Sequence, residues 1–360
     1  MSAPASGSLV DVVDTSAQRA ALAHPPLLVR EPLAAFLDAE GLGRGPVREA
    51  RIGEGHSNVT YLLRRDGWEG VLRRPPRPPY QESAHDVLRE ARVQRALLPT
   101  AVPVPRILAT EPTGSVLGVP FYVMDKLTGD VVTGSVPAAL DTPEGRYGLG
   151  TELVDTLVRL HQVDIDAAGL RSLGRGERFL DRQLRTFGRL WDTHRTRAIP
   201  AVDEAGRWLL AHRPAQSDTT LVHGDYRLGN LMFAPGSTPR LLALLDWELA
   251  TLGDPLTDLG YLLSTYPEGT QDSGTLLSLA GAVRGGHFPT RGELVGRYAE
   301  RTGRSTEGLH WYVALAFWRT AVGLESFYRR ALQGTTDDPF IAELEHGVPE
   351  LAEQALAAAY

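Results

Sequence analysis

The sequence predicts an α+β chain of two successive units: a small five-stranded antiparallel unit with one helix, then a mostly helical unit. Three observations predict it. Short apolar-polar alternating runs separated by turn signals crowd the first third of the chain. From Pro143 onward the apolar residues recur at helical spacing. Gly129-Asp130 marks the junction between the two patterns.

The elements follow in order. Residues 1–25 are small, polar and Pro-containing, and are expected to form a flexible tail. The first unit is expected over 26–128 and the second over 129–360. A helix is predicted at 27–42, stopped by Gly41 and Gly43. Strands are predicted at 47–53, 58–65 and 69–74, with Asp66-Gly67 as a hairpin turn and Pro75-Pro76 as the end of the third run. A helix at 83–98 and strands at 105–110 and 119–125 complete the unit. In the second unit helices are predicted at 143–163, 176–194, 200–212, 255–265, 290–302, 307–332 and 339–358. A strand-and-loop insert at 219–247 interrupts them. The cleft between two such units is the expected place for a ligand.

Composition narrows the function. The chain has 360 residues, 42% hydrophobic and 22% charged, enough for a sizeable core. A net charge of −7 argues against nucleic acid or an anionic membrane as partner, since both favour a basic field. No cysteine is present, so disulfides, thiolate metal sites and cysteine nucleophiles are excluded. No apolar run approaches the ~20 residues needed to span a bilayer. The first residues lack a basic segment followed by an apolar one, so a cytoplasmic protein is expected. The ten histidines form no metal-binding pair with a carboxylate, which gives zinc little support. The only lysine is Lys126, so chemistry usually done by lysine falls to arginine or to Lys126.

The segment richest in chemistry is Leu-Val-His-Gly-Asp-Tyr-Arg-Leu-Gly-Asn-Leu-Met-Phe at 221–233. An apolar run leads into a loop holding Asp225, and Asn230 follows five residues later. A second apolar run at 241–245 delivers Asp246. The pattern suits phosphoryl transfer. One carboxylate orients a hydroxyl and accepts its proton, while an amide oxygen and a second carboxylate hold Mg²⁺ against nucleotide phosphates. Hard oxygen donors suit Mg²⁺, which keeps several waters. Taken singly, each residue is as well explained by a turn or a helix cap; the combination after two apolar strands is not.

HGDYRLGN followed by LLDWE resembles the catalytic and metal-binding segments of the aminoglycoside phosphotransferase and choline kinase-like family, which has the bilobal protein-kinase-like fold. The resemblance implies that Asp225 is the catalytic base and that Asn230 and Asp246 are metal ligands. It implies that His223 and Asp258 brace the catalytic loop, and that ATP or GTP donates the phosphoryl group with Mg²⁺.

In the first unit, Gly-Glu-Gly-His-Ser-Asn-Val-Thr at 53–60 would turn over the phosphates, with Gly53 and Gly55 allowing close approach and Ser57 and Asn58 offering donors. A kinase of this type needs a cation on the third strand and a glutamate on the next helix. Arg73 is the expected cation, with Arg74 alternating to the other face. Glu90 is the expected partner, because Val87, Val93 and Leu97 place it on an apolar stripe where an unpaired carboxylate is costly. In Phe-Tyr-Val-Met-Asp-Lys-Leu-Thr-Gly-Asp at 121–130, backbone groups from Asp125 to Leu127 would bind the adenine and Met124 would close the pocket behind it. Met124 is equally explained as core, Lys126 as a solvated residue and His161 as a satisfied buried histidine.

More of the chain, about 45–335, resembles the subgroup found fused to acyl-CoA dehydrogenases or alone in bacteria, through EGHSN, VLRRPP, SAHDVLREARV, VPVPRILAT and LGVPFYVMDKLTG. That resemblance implies a small-molecule acceptor that is a CoA thioester, a hydroxyacyl-CoA. The Arg-bearing helices, with Arg182, Arg185, Arg189, Arg319, Arg329 and Arg330, are consistent with it. An antibiotic-inactivating phosphotransferase acting on aminoglycosides or macrolides, and a catalytically silent nucleotide-binding protein, stay open at this point.

Overall fold

A computed structural model of the chain describes residues 10–53, 58–77, 85–216, 218–267, 281–333 and 339–359. The chain divides into two compact units, Met1–Leu98 with Val104–Leu127, and Pro99–Pro103 with Thr128–Tyr360.

The first unit opens with β1 (Val12–Val13), α1 (Ser16–Ala20), β2 (Leu28–Val29) and α2 (Arg30–Ala39). The expectation of a flexible tail over 1–25 is therefore corrected from Val12 onward. β1 pairs in parallel with β2. Thr15 and Gln18 form a reciprocal capping box that closes the first turn of α1. Arg77 adds a tether by donating to the carbonyls of Val10, at 2.7 Å, and Pro25, at 3.0 Å. The Thr-x-x-Gln signal was present in the sequence; its composition hid it.

Five strands follow around one helix: β3 (Arg44–Ile52), β4 (Val59–Asp66), β5 (Trp68–Arg74), α3 (Val87–Leu97), β6 (Ile107–Glu111) and β7 (Phe121–Asp125). They form one antiparallel sheet in the order β3-β4-β5-β7-β6. Gly67, at φ +71°, makes the two-residue turn between β4 and β5.

Register assigns the two faces of the sheet. Tyr61, Leu72 and Val123 lie side by side across β4, β5 and β7. They join the core beneath α2 with Leu33, Leu37 and Phe121, where Phe36 meets Phe121 edge-on at 5.1 Å. Arg73 and Tyr122 are paired on the opposite face, as are Val71 and Met124. That face receives α3 through Val87, Ala91, Ile107 and Tyr122.

The second unit contains β8 (Asp130–Val131), α4 (Pro143–His161), α5 (Phe179–His194), α6 (Pro200–Ala211), β9 (Thr220–Val222), β10 (Leu231–Phe233), β11 (Leu241–Leu244), β12 (Thr251–Gly253), α7 (Leu256–Ser264), α8 (Arg291–Thr302), α9 (Leu309–Leu332) and α10 (Pro339–Ala359). α4 starts with Thr142 as its cap and Pro143 in its first turn, and buries Leu149, Leu153, Leu157 and Leu160. The insert is two small sheets: β9 pairs with β12, and β10 lies between β8 and β11. The pairs with β8 and β12 were not anticipated, because strands of two or three residues carry no readable alternation. Pro99–Pro103 belongs here and not with the first unit, since the Leu244 N–H donates to the Pro103 carbonyl at 2.8 Å. Among the described residues no helix is long and apolar enough to cross a membrane.

Candidate active site

On the α3 face of the sheet, Arg73 Nε lies 2.8 Å from Glu90 Oε2. Glu90 is only 1% exposed, so its charge must be met inside the protein. Tyr122 donates to the same oxygen at 3.1 Å, and Asn58 Nδ2 donates to Oε1 at 2.5 Å. Gln94 donates to the Tyr122 hydroxyl at 3.2 Å, and His85 Nδ1 lies 3.1 Å from Asn58 Oδ1. Burial, helped by the Glu90 charge, holds the Tyr122 hydroxyl well above its usual pKa, so it stays a donor. Arg74 points the other way and donates to the Leu27 carbonyl, as strand alternation requires.

The turn preceding this network is described only in part. Gly53 adopts φ +78°, a conformation suited to glycine, while Gly55 and Ser57 lie outside the described residues. Asn58 differs from expectation: its amide braces Glu90 instead of standing as an open donor. Met124, partly buried, packs against the α3 cluster. Of the Asp125 backbone groups, the N–H is taken. It already donates to the Arg106 carbonyl at 2.9 Å, because a bulge in β6 brings that carbonyl alongside. The Leu127 N–H and C=O make no hydrogen bond among the described residues. Lys126 reaches Glu69 at 3.3 Å.

In the second unit, β9 delivers His223, Gly224 and Asp225 at its end. Asp258, in the first turn of α7, pins the loop: it accepts from the His223 N–H at 2.6 Å and the Gly224 N–H at 2.8 Å. His161 Nε2 approaches the same carboxylate at 3.3 Å, and its Nδ1 lies 2.8 Å from the Tyr298 hydroxyl. Burial alone would raise the Asp258 pKa, but the bonds from His161 and His223 outweigh it and hold the group below its usual value. Burial lowers the His161 pKa despite Asp258, leaving a neutral ring.

Gly224, at φ +87°, could not carry a side chain: a Cβ there would meet the Leu249 carbonyl and Cβ at 2.8 Å. His223 Nε2 donates to the Leu245 carbonyl at 2.8 Å, and the Leu245 N–H donates to the Asn230 carbonyl at 2.8 Å. Trp247 Nε1 donates to the Leu244 carbonyl at 3.0 Å. Asp246 lies between these fixed points at φ +65°, a left-handed conformation that costs a non-glycine residue energy and that its neighbours enforce.

Asn230 donates to the Asp225 carbonyl at 2.7 Å and to Asp225 Oδ2 at 2.9 Å, which leaves its own Oδ1 as the acceptor end. Arg227 Nε stands 3.6 Å from Asp225 Oδ1. Gly229 makes that fold-back possible, because a Cβ there would strike Arg227 Nη1. The Tyr261 hydroxyl is raised well above its usual pKa by burial and then by the nearby Asp225 charge. Asp225, Asn230 and Arg227 therefore meet, with Asp246 joined through the Leu245 backbone.

Sequence reasoning missed Tyr261 and Arg227. Tyr261 stands three residues after Asp258, hence on the same helix face, and Arg227 two residues after Asp225; both signals were readable. Among the described residues no three His, Cys, Asp or Glu side chains cluster as a metal cage. An amide oxygen beside one carboxylate nevertheless fits Mg²⁺, which needs few protein donors.

A small antiparallel sheet with a buried Arg–Glu pair, and a helical unit with a pinned Asp-x-x-x-x-Asn loop, define the protein-kinase-like phosphotransferase class. The sequence profile of the phosphotransferase enzyme family matches residues 49–309, and the chain belongs to that family. It is 35% identical over 300 residues to acyl-CoA dehydrogenase family member 10 of Mus musculus, covering 81% of this chain and 27% of that protein. It is 34% identical over 320 residues to acyl-CoA dehydrogenase family member 11 of Gallus gallus, covering 87% of this chain and 40% of that protein. The chain thus spans less than half the length of these relatives. A crystal structure from Ralstonia eutropha JMP134, assigned as an aminoglycoside phosphotransferase, superposes with a TM-score of 0.75 at 32% identity, over 91% of this chain and 97% of that one. A thermostable mutant of aminoglycoside phosphotransferase APH(4)-Ia, crystallised with AMP-PNP and hygromycin B, shares the fold at a TM-score of 0.58 and 15% identity, over 91% of this chain and 98% of that one.

Proposed function

We propose that the chain is a nucleotide-dependent O-phosphotransferase that uses Asp225 as base on the hydroxyl of a hydroxyacyl-CoA. The observation that carries the reading is the bonding around Asp225: Asn230 on one oxygen, Arg227 beside the other, and a loop pinned by Asp258. A carboxylate held this way presents a fixed acceptor for a hydroxyl proton.

In the proposed step the acceptor oxygen gives its proton to the Asp225 carboxylate and forms a new bond to the γ-phosphorus. The bond from that phosphorus to the β-phosphate oxygen breaks, and the nucleoside diphosphate leaves. Arg227, with buried Nε and Nη1 atoms that lack hydrogen-bond partners, would donate to the transferring phosphoryl oxygens. Asn230 and Asp246 would hold Mg²⁺, which neutralises charge on the β- and γ-phosphates when bound. Arg73, fixed by Glu90, would hold the α- and β-phosphates, with Gly53 in the turn and Leu127 on the base.

Support for a nucleotide donor comes from neighbours of the same fold crystallised with AMP-PNP and GDP. Support for the acceptor comes from relatives that bear an acyl-CoA dehydrogenase name. A nucleoside triphosphate donor makes the cytoplasm the expected compartment. The test is ATP or GTP consumption against hydroxyacyl-CoAs, aminoglycosides and macrolides. Turnover of an antibiotic with none of any hydroxyacyl-CoA would replace the acceptor and leave the phosphotransferase reading standing.

A further inference from the structure

One half-buried cation near the base has no work in the mechanism above. Arg319, on α9, has a buried Nε without a hydrogen-bond partner. Among the described residues its guanidinium makes no hydrogen bond and no ion pair; its carbon lies 4.8 Å from the Phe187 ring centre. It senses the charges of Asp225 and Asp258 and the Tyr261 hydroxyl. Those groups are already bonded elsewhere: Asp258 to two backbone N–H groups and His161, Asp225 to Asn230. Gln183, one turn before Phe187 on α5, has a buried Oε1 that also lacks a partner. A guanidinium whose buried Nε is unmet, lying over an aromatic ring with an unpartnered amide one turn along the same helix, is costly unless a ligand completes it.

We propose that Arg319 is a specificity residue that binds an acyl oxygen of the acceptor, a carboxylate or a thioester carbonyl, while the acceptor's hydroxyl is presented to Asp225. This rests on the proposed function and assigns the residue that reads the acyl group of its acceptor. Phe187 and Gln183 suit an organic acceptor better than a triphosphate, which assigns Arg319 to the acceptor and not to the nucleotide. A planar guanidinium donates to such an oxygen directly. The same charge disfavours a polycationic acceptor.

The experiment measures phosphoryl transfer at saturating nucleotide for the wild type, Arg319→Gln and Arg319→Lys. The acceptors are four- to six-carbon acids hydroxylated at carbons 2 to 5, as CoA thioesters and as free acids, with matching alcohols that lack the acyl group. The wild type should prefer acyl acceptors to alcohols. Arg319→Gln should lose about 10- to 100-fold in kcat/KM on acyl acceptors, mainly through KM, the scale of a hydrogen bond to a charged group. It should leave the alcohols and the nucleotide KM unchanged, and Arg319→Lys should recover part of the loss. The thioester and free-acid arms identify which acyl oxygen is read. The melting temperature of Arg319→Gln should hold or rise, because a desolvated cation is removed. Equal losses on acyl acceptors and alcohols, a rise in nucleotide KM alone, or a fall in melting temperature with uniform loss of activity would each overturn the role of Arg319. Absence of all Asp225-dependent transfer by the wild type would overturn the phosphotransferase reading as well.

Discussion

Asp258→Asn removes one charge and keeps the shape of the group that pins the catalytic loop. In the wild type the two carboxylate oxygens accept from the His223 N–H at 2.6 Å and the Gly224 N–H at 2.8 Å. An asparagine offers one oxygen. Its amide N–H₂ then faces a buried N–H donor, so one bond is lost and one donor stays unmet. Hydrogen bonds to charged groups contribute about 1.5–3 kcal/mol, and an unmet buried donor costs about 1–3 kcal/mol. We expect a destabilisation of about 2–4 kcal/mol, a drop of about 5–15 °C in melting temperature for a unit of this size. The loss should depend on pH. The folded-state pKa of Asp258 lies below its unfolded value of about 3.9, so its stabilisation is complete above that value. It is lost as pH falls through the folded pKa. Urea unfolding followed by tryptophan fluorescence should therefore show a constant gap between wild type and variant from pH 5 to 8, shrinking below about pH 4. A gap that widens toward acid, or one below about 1 kcal/mol at pH 7, would refute the pinning argument.

Glu90→Gln should destabilise the first unit by about 3–5 kcal/mol, read by urea unfolding, because Arg73 would lose its buried counter-charge. Arg73→Ala should raise the nucleotide KM in steady-state kinetics more than the acceptor KM, with Arg73→Lys intermediate. Gly224→Ala should lower both melting temperature and activity, since it places a Cβ against Leu249 in a left-handed backbone conformation. Asp246→Ala should abolish Mg²⁺-dependent nucleotide binding by calorimetry, while the free protein still unfolds in one cooperative transition.

The parts legible in the sequence were those with long periodic signals. The opposite facing of Arg73 and Arg74 and the pairing of Arg73 with Glu90 follow from alternation along β5 and from an apolar stripe on α3, and the structure shows both. The capped helix at Ser16–Ala20 was obscured because its two-residue strand partners give no pattern. Asn58 was read as offering a donor because a linear sequence does not reveal which donors tertiary contacts have already taken. Tyr261 was hidden, and Arg319 was not singled out from the other helical arginines, for a related reason. They lie on helices 36 and 94 residues downstream of Asp225, close enough to feel its charge, where a tyrosine or an arginine on an amphipathic helix looks like ordinary core or surface.

The most direct test of the central claim is Asp225→Asn. The substitution keeps the shape that Asn230 and Arg227 hold and removes the proton acceptor. Turnover of the best hydroxyacyl-CoA, measured by phosphate incorporation with nucleotide saturating, should fall by about 10²–10⁴. Nucleotide affinity and melting temperature should stay close to wild type. A pure, folded Asp225→Asn variant that transfers phosphate at near wild-type rate would contradict the assignment of Asp225 as the base.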